Sequence, residues 1–130
     1  MAEAEILAGL NERYGSKYEP KGRLILRKEK LFLYSGPEVQ LKYDWCGLHI
    51  ANTDLSLTIE GTQLLGTTAS KNVIDVTAEE AREYYRGRDL PGFEGEGFVI
   101  LKTSHRVVGP GLLEGGRIRN ILPVSRKTKL

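Results

Sequence analysis

Two histidines, one cysteine and two glycine pairs are the residues whose types could support chemistry in this 130-residue chain. Gly95-Glu96-Gly97 and Gly109-Pro110-Gly111 each begin a GxG. Neither completes GxGxxG, because Ile100 and Glu114 stand at the closing positions. An apolar strand pattern follows rather than a helix, so no helix N-terminus is offered to a pyrophosphate. These glycines are expected to serve turns or bulges. His49 and His105 form neither HxH nor HxxxH, and Cys46 alone cannot supply a cysteine-based zinc site, so no metal or cofactor is expected. A nucleophilic Cys46 would need a base and an activating environment. His49 is three residues away, but along a strand it need not share the face of Cys46, and the adjacent Trp45 suggests a buried structural thiol. A small enzyme built on His49 or Cys46 would need a pocket joining them to other polar groups. Glu79, Glu80 and Glu83 complement the dipole of a helix start, and no general acid/base pair stands out. The chain is therefore expected not to be an enzyme.

Binding chemistry is better represented. The net charge is +2, with 19 basic and 17 acidic side chains, but it is unevenly spread. Residues 1–65 carry a net of −1 and residues 66–130 a net of +3. Over residues 97–130, Lys102, Arg106, Arg117, Arg119, Arg126, Lys127 and Lys129 face only Glu114, a net of +6. Charge alone leaves two readings open: a polyanion partner, whose neutralised phosphates release counterions, or a solvated basic tail. Tyr84, Tyr85, Arg86 and Arg88 crowd one predicted helix end. An exposed tyrosine there can stack a base while guanidinium groups hold phosphate. Alternatively both tyrosines are core and the arginines cap helix carbonyls. Arg117 and Arg119 alternate with Ile118 and so share one strand face.

The elements that must position these groups belong to one small soluble unit: 40% hydrophobic and 28% charged residues at 14.5 kDa. No apolar run is long enough to cross a membrane. The acidic start, Met1-Ala-Glu-Ala-Glu5, is unlike a signal peptide, and the single cysteine suits a reducing cytoplasm. Ile6, Leu10 and Tyr14 predict a helix over residues 2–14, stopped by Gly15. Strands are expected over 23–27 and 31–34, joined by the charged turn Lys28-Glu29-Lys30, with Gly36-Pro37 ending the hairpin. Alternation at Val39, Leu41, Tyr43 and Trp45 predicts a further strand, with a short one over 48–51. Residues 58–69 are ambiguous, because Gly61, Gly66 and the threonines weaken a helical pattern. A short strand over 73–76 precedes the Thr77-Ala-Glu-Glu80 capping box, whose helix is expected to run to Arg86, with Gly87 closing it. Pro91-Gly92 reads as a turn, and three strands are expected over 97–102, 107–113 and 117–122. The order predicts an α+β fold whose C-terminal part is a small antiparallel sheet curled around its own core.

Arg86-Gly87-Arg88-Asp89-Leu90, Gly95–Leu101, Val108-Gly109-Pro110-Gly111-Leu112 and Gly116-Arg117-Ile118-Arg119-Asn120-Ile121-Leu122-Pro123 together resemble a PUA RNA-binding domain. The nearest form is the domain appended to Nop/Sun-type RNA 5-methylcytosine methyltransferases. Its [IL]KN-x-[LY]P ending is matched here with Arg119 in the lysine position, which keeps the charge and alters its geometry. The resemblance covers about residues 73–130. The first 70 residues are similar, more loosely, to the pre-PUA module of such proteins and of Nip-type ribosome-biogenesis factors. It implies an α/β pre-PUA-like module over 1–72 followed by a PUA-like β-barrel over 73–130. The methyltransferase activity does not carry over, since the paired catalytic cysteines and the cofactor-binding glycine loop are missing.

Transferred by position, the family's RNA-binding surface falls on Arg82, Tyr85, Arg86, Arg88, Arg117, Arg119 and the tail residues Arg126 and Lys127, with Lys71 a weaker member. Lys102 and Arg106 join them from the basic segment. The sequence thus predicts a cytoplasmic protein that binds structured tRNA or rRNA, as an accessory factor in tRNA modification, rRNA processing or ribosome biogenesis. Its partners would be that RNA, with an RNA-modifying enzyme or assembly factor beside it. The alternative is a protein–protein adaptor whose basic strip meets an acidic partner, such as an RNA methyltransferase or ribosomal protein.

Overall fold

A computed structural model describes residues 2–34 and 47–123. The predicted strand through Val39–Trp45, the Gly36-Pro37 turn, Cys46 and the tail residues Arg126, Lys127 and Lys129 lie outside the described residues. The order is α1 (Glu3–Tyr14), β1 (Arg23–Arg27), β2 (Lys30–Tyr34), β3 (Leu48–Asn52), α2 (Ile59–Leu65), β4 (Val73–Asp75), α3 (Ala78–Tyr85), β5 (Leu90–Pro91), β6 (Gly97–Thr103), β7 (Arg106–Glu114) and β8 (Arg117–Asn120). This is an α+β fold with two sheets, one three-stranded in the order β1-β2-β3 and one five-stranded in the order β4-β6-β7-β8-β5. The larger sheet is curled in the manner of a PUA-like barrel. Its strands pair antiparallel, except that β4 runs parallel to β6.

Strand β6 sits between two cores, which is why Phe98–Leu101 is an unbroken apolar run. Val99 and Leu101 point toward α3 and join Ala81, Tyr84, Leu90, Val108, Leu113, Ile118 and Leu122. Ile100 points the other way and packs with Ile6, Leu10, Tyr14, Leu31, Ile50 and Leu65 from the first half of the chain. Val73 and Val107 pack against that second cluster too, so the two halves of the chain share it. Polar ties reinforce the junction. The Arg13 guanidinium donates to the Phe98 carbonyl at 2.7 Å, and the Asn72 amide donates to the Arg13 carbonyl at 2.7 Å.

The ambiguous stretch resolves as α2. The Thr58 hydroxyl accepts from the Gly61 N–H at 3.0 Å and caps it. Gly61 is here for packing: a Cβ would stand 1.9 Å from the Ile50 carbonyl oxygen, so only glycine lets the helix lie on β3. Pro91, read with Gly92 as a turn, instead ends the short edge strand Leu90–Pro91 on β8, where proline's missing N–H faces no partner strand. The GPG segment lies within β7. Ile100 gives its N–H to Asn72, so Pro110 opposite it owes β6 no hydrogen bond. The register shift beside Gly109 is a bulge, and Gly95 and Gly97 hold positive φ of 129° and 99°.

Candidate nucleic-acid interface

Helix α3 starts at its capping box, with Glu80 N–H donating to the Thr77 hydroxyl at 3.0 Å and Thr77 N–H to the Glu80 carboxylate at 2.8 Å. Its inward stripe is Ala81 and Tyr84. Tyr84 is fully buried, and its hydroxyl donates to the Pro110 carbonyl at 2.6 Å. Gly111 leaves room for it, since a Cβ there would lie 3.3 Å from that oxygen. Burial pushes the Tyr84 phenol well above its ordinary pKa. Tyr85 is 37% exposed, and its hydroxyl donates to the Val108 carbonyl at 3.2 Å. One tyrosine therefore packs, and the other lays an edge in solvent with its ring fixed over β7.

Asn120 joins the helix end to β8. Its amide donates to the carbonyls of Tyr84 at 2.6 Å and Arg88 at 3.0 Å, and its backbone N–H donates to Asp89 at 2.8 Å. Its side-chain oxygen accepts from the Leu122 N–H at 3.1 Å. Sequence reading placed Asn120 in a motif without giving it this task. The available signal was an asparagine closing a strand, where its β propensity is poor.

The basic residues do not form one strip. Helical spacing puts Arg82 and Tyr85 on one flank of α3, Glu80 and Glu83 on the other, and Arg86 and Glu79 between them. Arg88 falls on the acidic flank, where it lines a hollow with Glu79, Glu80, Glu83 and Asp89. Glu83 pairs with Arg88 and, at 2.9 Å, with Arg86. Arg88 foremost, with Arg86, holds the Glu83 carboxyl below its ordinary pKa. On β8, Ile118 faces α3, so Arg117 and Arg119 point to the opposite side of the sheet. There Arg119 pairs with Glu114 at 2.6 Å, while Arg117 lies 3.7 Å from Asp89 at the sheet edge.

Lys102 stands opposite Val107 and so faces away from α3, toward the second core. Lys71 is tied by its backbone to the C-terminus of α1, with its N–H on the Tyr14 carbonyl at 2.9 Å, beside the β4 edge of the sheet. Arg106 alternates with Val107 onto the α3 side, two residues before the carbonyl that holds Tyr85. Arg82, Lys71, Lys102 and Arg106 have no ion-pair partner among the described residues. Helical spacing thus puts Arg82 and Tyr85 on one flank of α3, with Arg86, paired with Glu83, at its margin, and alternation turns Arg106 to the α3 side of β7. The structure leaves Arg88, Arg117 and Arg119 among acids, with Lys71 and Lys102 elsewhere. No group of three His, Cys, Asp or Glu able to hold a metal occurs among the described residues. No described helix is long and apolar enough to cross a membrane.

A family model described as the Methyltransferase RsmF PUA domain matches residues 71–126. Residues 71–126 are a PUA domain. It resembles the C-terminal domain of the Sun-type methyltransferases, as its glycine-spaced strands and Asn120-x-Leu122-Pro123 ending imply. The chain is similar to proteins named "Ribosomal RNA small subunit methyltransferase F". That of Aeromonas hydrophila is 34% identical over 113 residues, 80% of this chain and 24% of that protein. That of Vibrio cholerae is 26% identical over 132 residues, 93% of this chain and 28% of its own length. That of Vibrio atlanticus is 39% identical over 61 residues, 45% of this chain. The likeness therefore extends through the N-terminal half, and the chain spans about a quarter of the length of relatives such as the Aeromonas protein.

Proposed function

We propose that this chain binds structured small-subunit ribosomal RNA as a non-catalytic, cytoplasmic accessory in rRNA modification, through the flank of α3 that carries Arg82, Tyr85 and Arg86, with Arg106 beside it. The observation that supports this most is the partition of charge on α3. Arg82 stands beside a fixed, half-exposed tyrosine on one flank, with Arg86 at its margin, while Glu80 and Glu83 lie on the other, and this occurs in a domain of the RsmF PUA type. The guanidinium groups hold phosphates, and Tyr85 offers its ring edge and face to an unpaired base at a loop or bulge. Arg86, like Arg88, Arg117 and Arg119, contributes less than Arg82, because each must first leave a carboxylate. Exposed pairs of this kind are worth at most about 1 kcal/mol, so phosphate can still exchange with them. The whole-length relatives carry the catalysis in their name, and this quarter of their length supplies positioning. Fluorescence anisotropy on a small-subunit rRNA stem-loop, using the full chain and Arg82→Gln/Arg86→Gln, tests the reading. Removing two phosphate contacts lowers the slope of log K against log salt by roughly 2. An unchanged slope and affinity in the folded variant would overturn the assignment of this flank.

A further inference from the structure

The tip of the β6–β7 hairpin carries polar groups that the α3 flank does not use. The two strands pair from Gly97 and Leu113 out to Thr103 and Arg106, and Ser104 and His105 make the two-residue turn between them. Both hold positive φ, 49° and 67°, a conformation that such turns normally give to glycine or asparagine. Here the apex instead bears a hydroxyl and an imidazole, both exposed. Pairing turns Thr103 and Arg106 to the α3 side, while Lys102, opposite Val107, faces the other. The ribbon therefore ends in groups that both donate and accept hydrogen bonds, with one cation on each face.

Among the described residues, the side chains of Lys102, Ser104, His105 and Arg106 make no hydrogen bond or ion pair, whereas Arg86, Arg88, Arg117 and Arg119 are all paired. The acid that register brings to the tip is Asp75 of β4, which stands beside Lys102. Glu79, Glu80 and Glu83 line the hollow on the far side of α3. Helix α2 packs its C-terminal end, at Gly66, on Val107, and residues 61–74 hold no Asp or Glu. Residues 124–130, outside the described residues, hold none either. Leu48, near where the described chain resumes after Glu38 and Asp44, lines a hollow with Phe98, at the opposite end of β6.

The minor groove of an RNA double helix is wide and shallow and displays ribose 2′-hydroxyls, each both donor and acceptor, between two rows of phosphates. A serine hydroxyl or an imidazole matches a 2′-hydroxyl, and a cation matches a phosphate. We propose that the β6–β7 tip sits in the minor groove of an RNA stem, where Ser104 and His105 bond ribose 2′-hydroxyls while Lys102 and Arg106 reach the phosphates on either side. This rests on the RNA-binding reading above and deepens it, by naming a double-stranded stem beside the unpaired base that Tyr85 takes. The two contacts adjoin, since the Tyr85 hydroxyl is held on Val108, two residues from Arg106. An acidic protein segment would meet Lys102 and Arg106, but its carboxylates accept without donating and so use only half of what the apex offers.

The test is anisotropy titration of the full chain on one small-subunit rRNA stem-loop, unmodified and with 2′-O-methyl groups throughout its stem. Wild type is compared with Ser104→Gly/His105→Gly, Lys102→Gln and Arg82→Gln/Arg86→Gln. Glycine suits both turn positions, so the first variant removes the apex side chains and keeps the hairpin. Methylation is expected to weaken wild type about fivefold for each hydrogen bond lost. The glycine variant should bind the unmodified stem as weakly as wild type binds the methylated one, and should ignore methylation. Lys102→Gln should keep the methylation effect and lower the slope of log K against log salt by about 1. Wild-type affinity in the glycine variant and indifference of wild type to methylation, with a loss in the α3 variant, would overturn the tip contact and leave the α3 reading standing. Loss in the glycine variant with none in the α3 variant would support the tip and refute the α3 flank. Absence of binding by wild type would refute both, and so would binding of poly-glutamate in preference to RNA, which would put an acidic protein in its place.

Discussion

Replacing Asn120 by alanine removes a side chain that joins the C-terminal end of α3 to the end of β8. Three hydrogen bonds vanish: two donated to the carbonyls of Tyr84 and Arg88, and one accepted from Leu122 N–H. At about 1 kcal/mol net for each, with the Tyr84 carbonyl keeping the Gly87 N–H at 3.0 Å, the expected loss is about 2.5 kcal/mol. For a chain of 130 residues that corresponds to about 9 °C in Tm. Asn120→Asp keeps the shape and the acceptor but loses both donors. It also sets a carboxylate against the carbonyls of a helix C-terminus and beside Asp89, so it should cost at least as much at neutral pH. The assay is urea unfolding followed by circular dichroism, with the midpoint and slope fitted for each variant. A change below about 0.5 kcal/mol in Asn120→Ala would refute the claim that this residue fixes α3 on the sheet.

Three further outcomes follow from the same geometry. Gly61→Ala should destabilise by about 3 kcal/mol or more in denaturant titration, although alanine is the better helix former, because its Cβ would meet the Ile50 backbone. Glu83→Gln should raise RNA affinity severalfold in anisotropy titrations, by freeing Arg86 and Arg88, whereas an adaptor that ignores phosphate would show no gain. Because the Glu83 pKa is lowered in the folded chain, its ion pairs contribute above the ordinary carboxylate value of 4.5 and are lost as pH falls below it, and carboxyl NMR titration of Glu83 should show this. Tyr84 has its pKa raised, so stability should fall as pH rises past 10, and Tyr84→Phe should remove part of that alkaline loss in unfolding curves.

Much of the fold was legible because its signals are local. The Thr77–Glu80 capping box, the stripe of Ile6, Leu10 and Tyr14, and the apolar run of β6 each report on their own few residues. Gly61 misleads in sequence because its reason for being there is a backbone from β3 pressed against the helix. Leu90–Pro91 becomes a strand only when β8, almost thirty residues later, arrives to pair with it. The site was legible as a set of residue types and not as a surface. Arg119 and Glu114 look like a free cation and a lone acid until a strand turn sets them together. Whether Arg117 and Arg106 share a face depends on a bulge and on which core takes Ile118 and Val107. The helix carried the most readable part: its period alone separates Arg82 and Tyr85 from Glu80 and Glu83.

The most direct measurement of the central claim is amide chemical-shift mapping of the isotopically labelled full chain during titration with a small-subunit rRNA stem-loop. The account predicts that the largest salt-sensitive shifts fall on residues 82–87 and 106–108, the flank where Tyr85 meets β7. Shifts confined to residues 112–119 on the opposite face of the sheet, or none at saturating RNA, would contradict it.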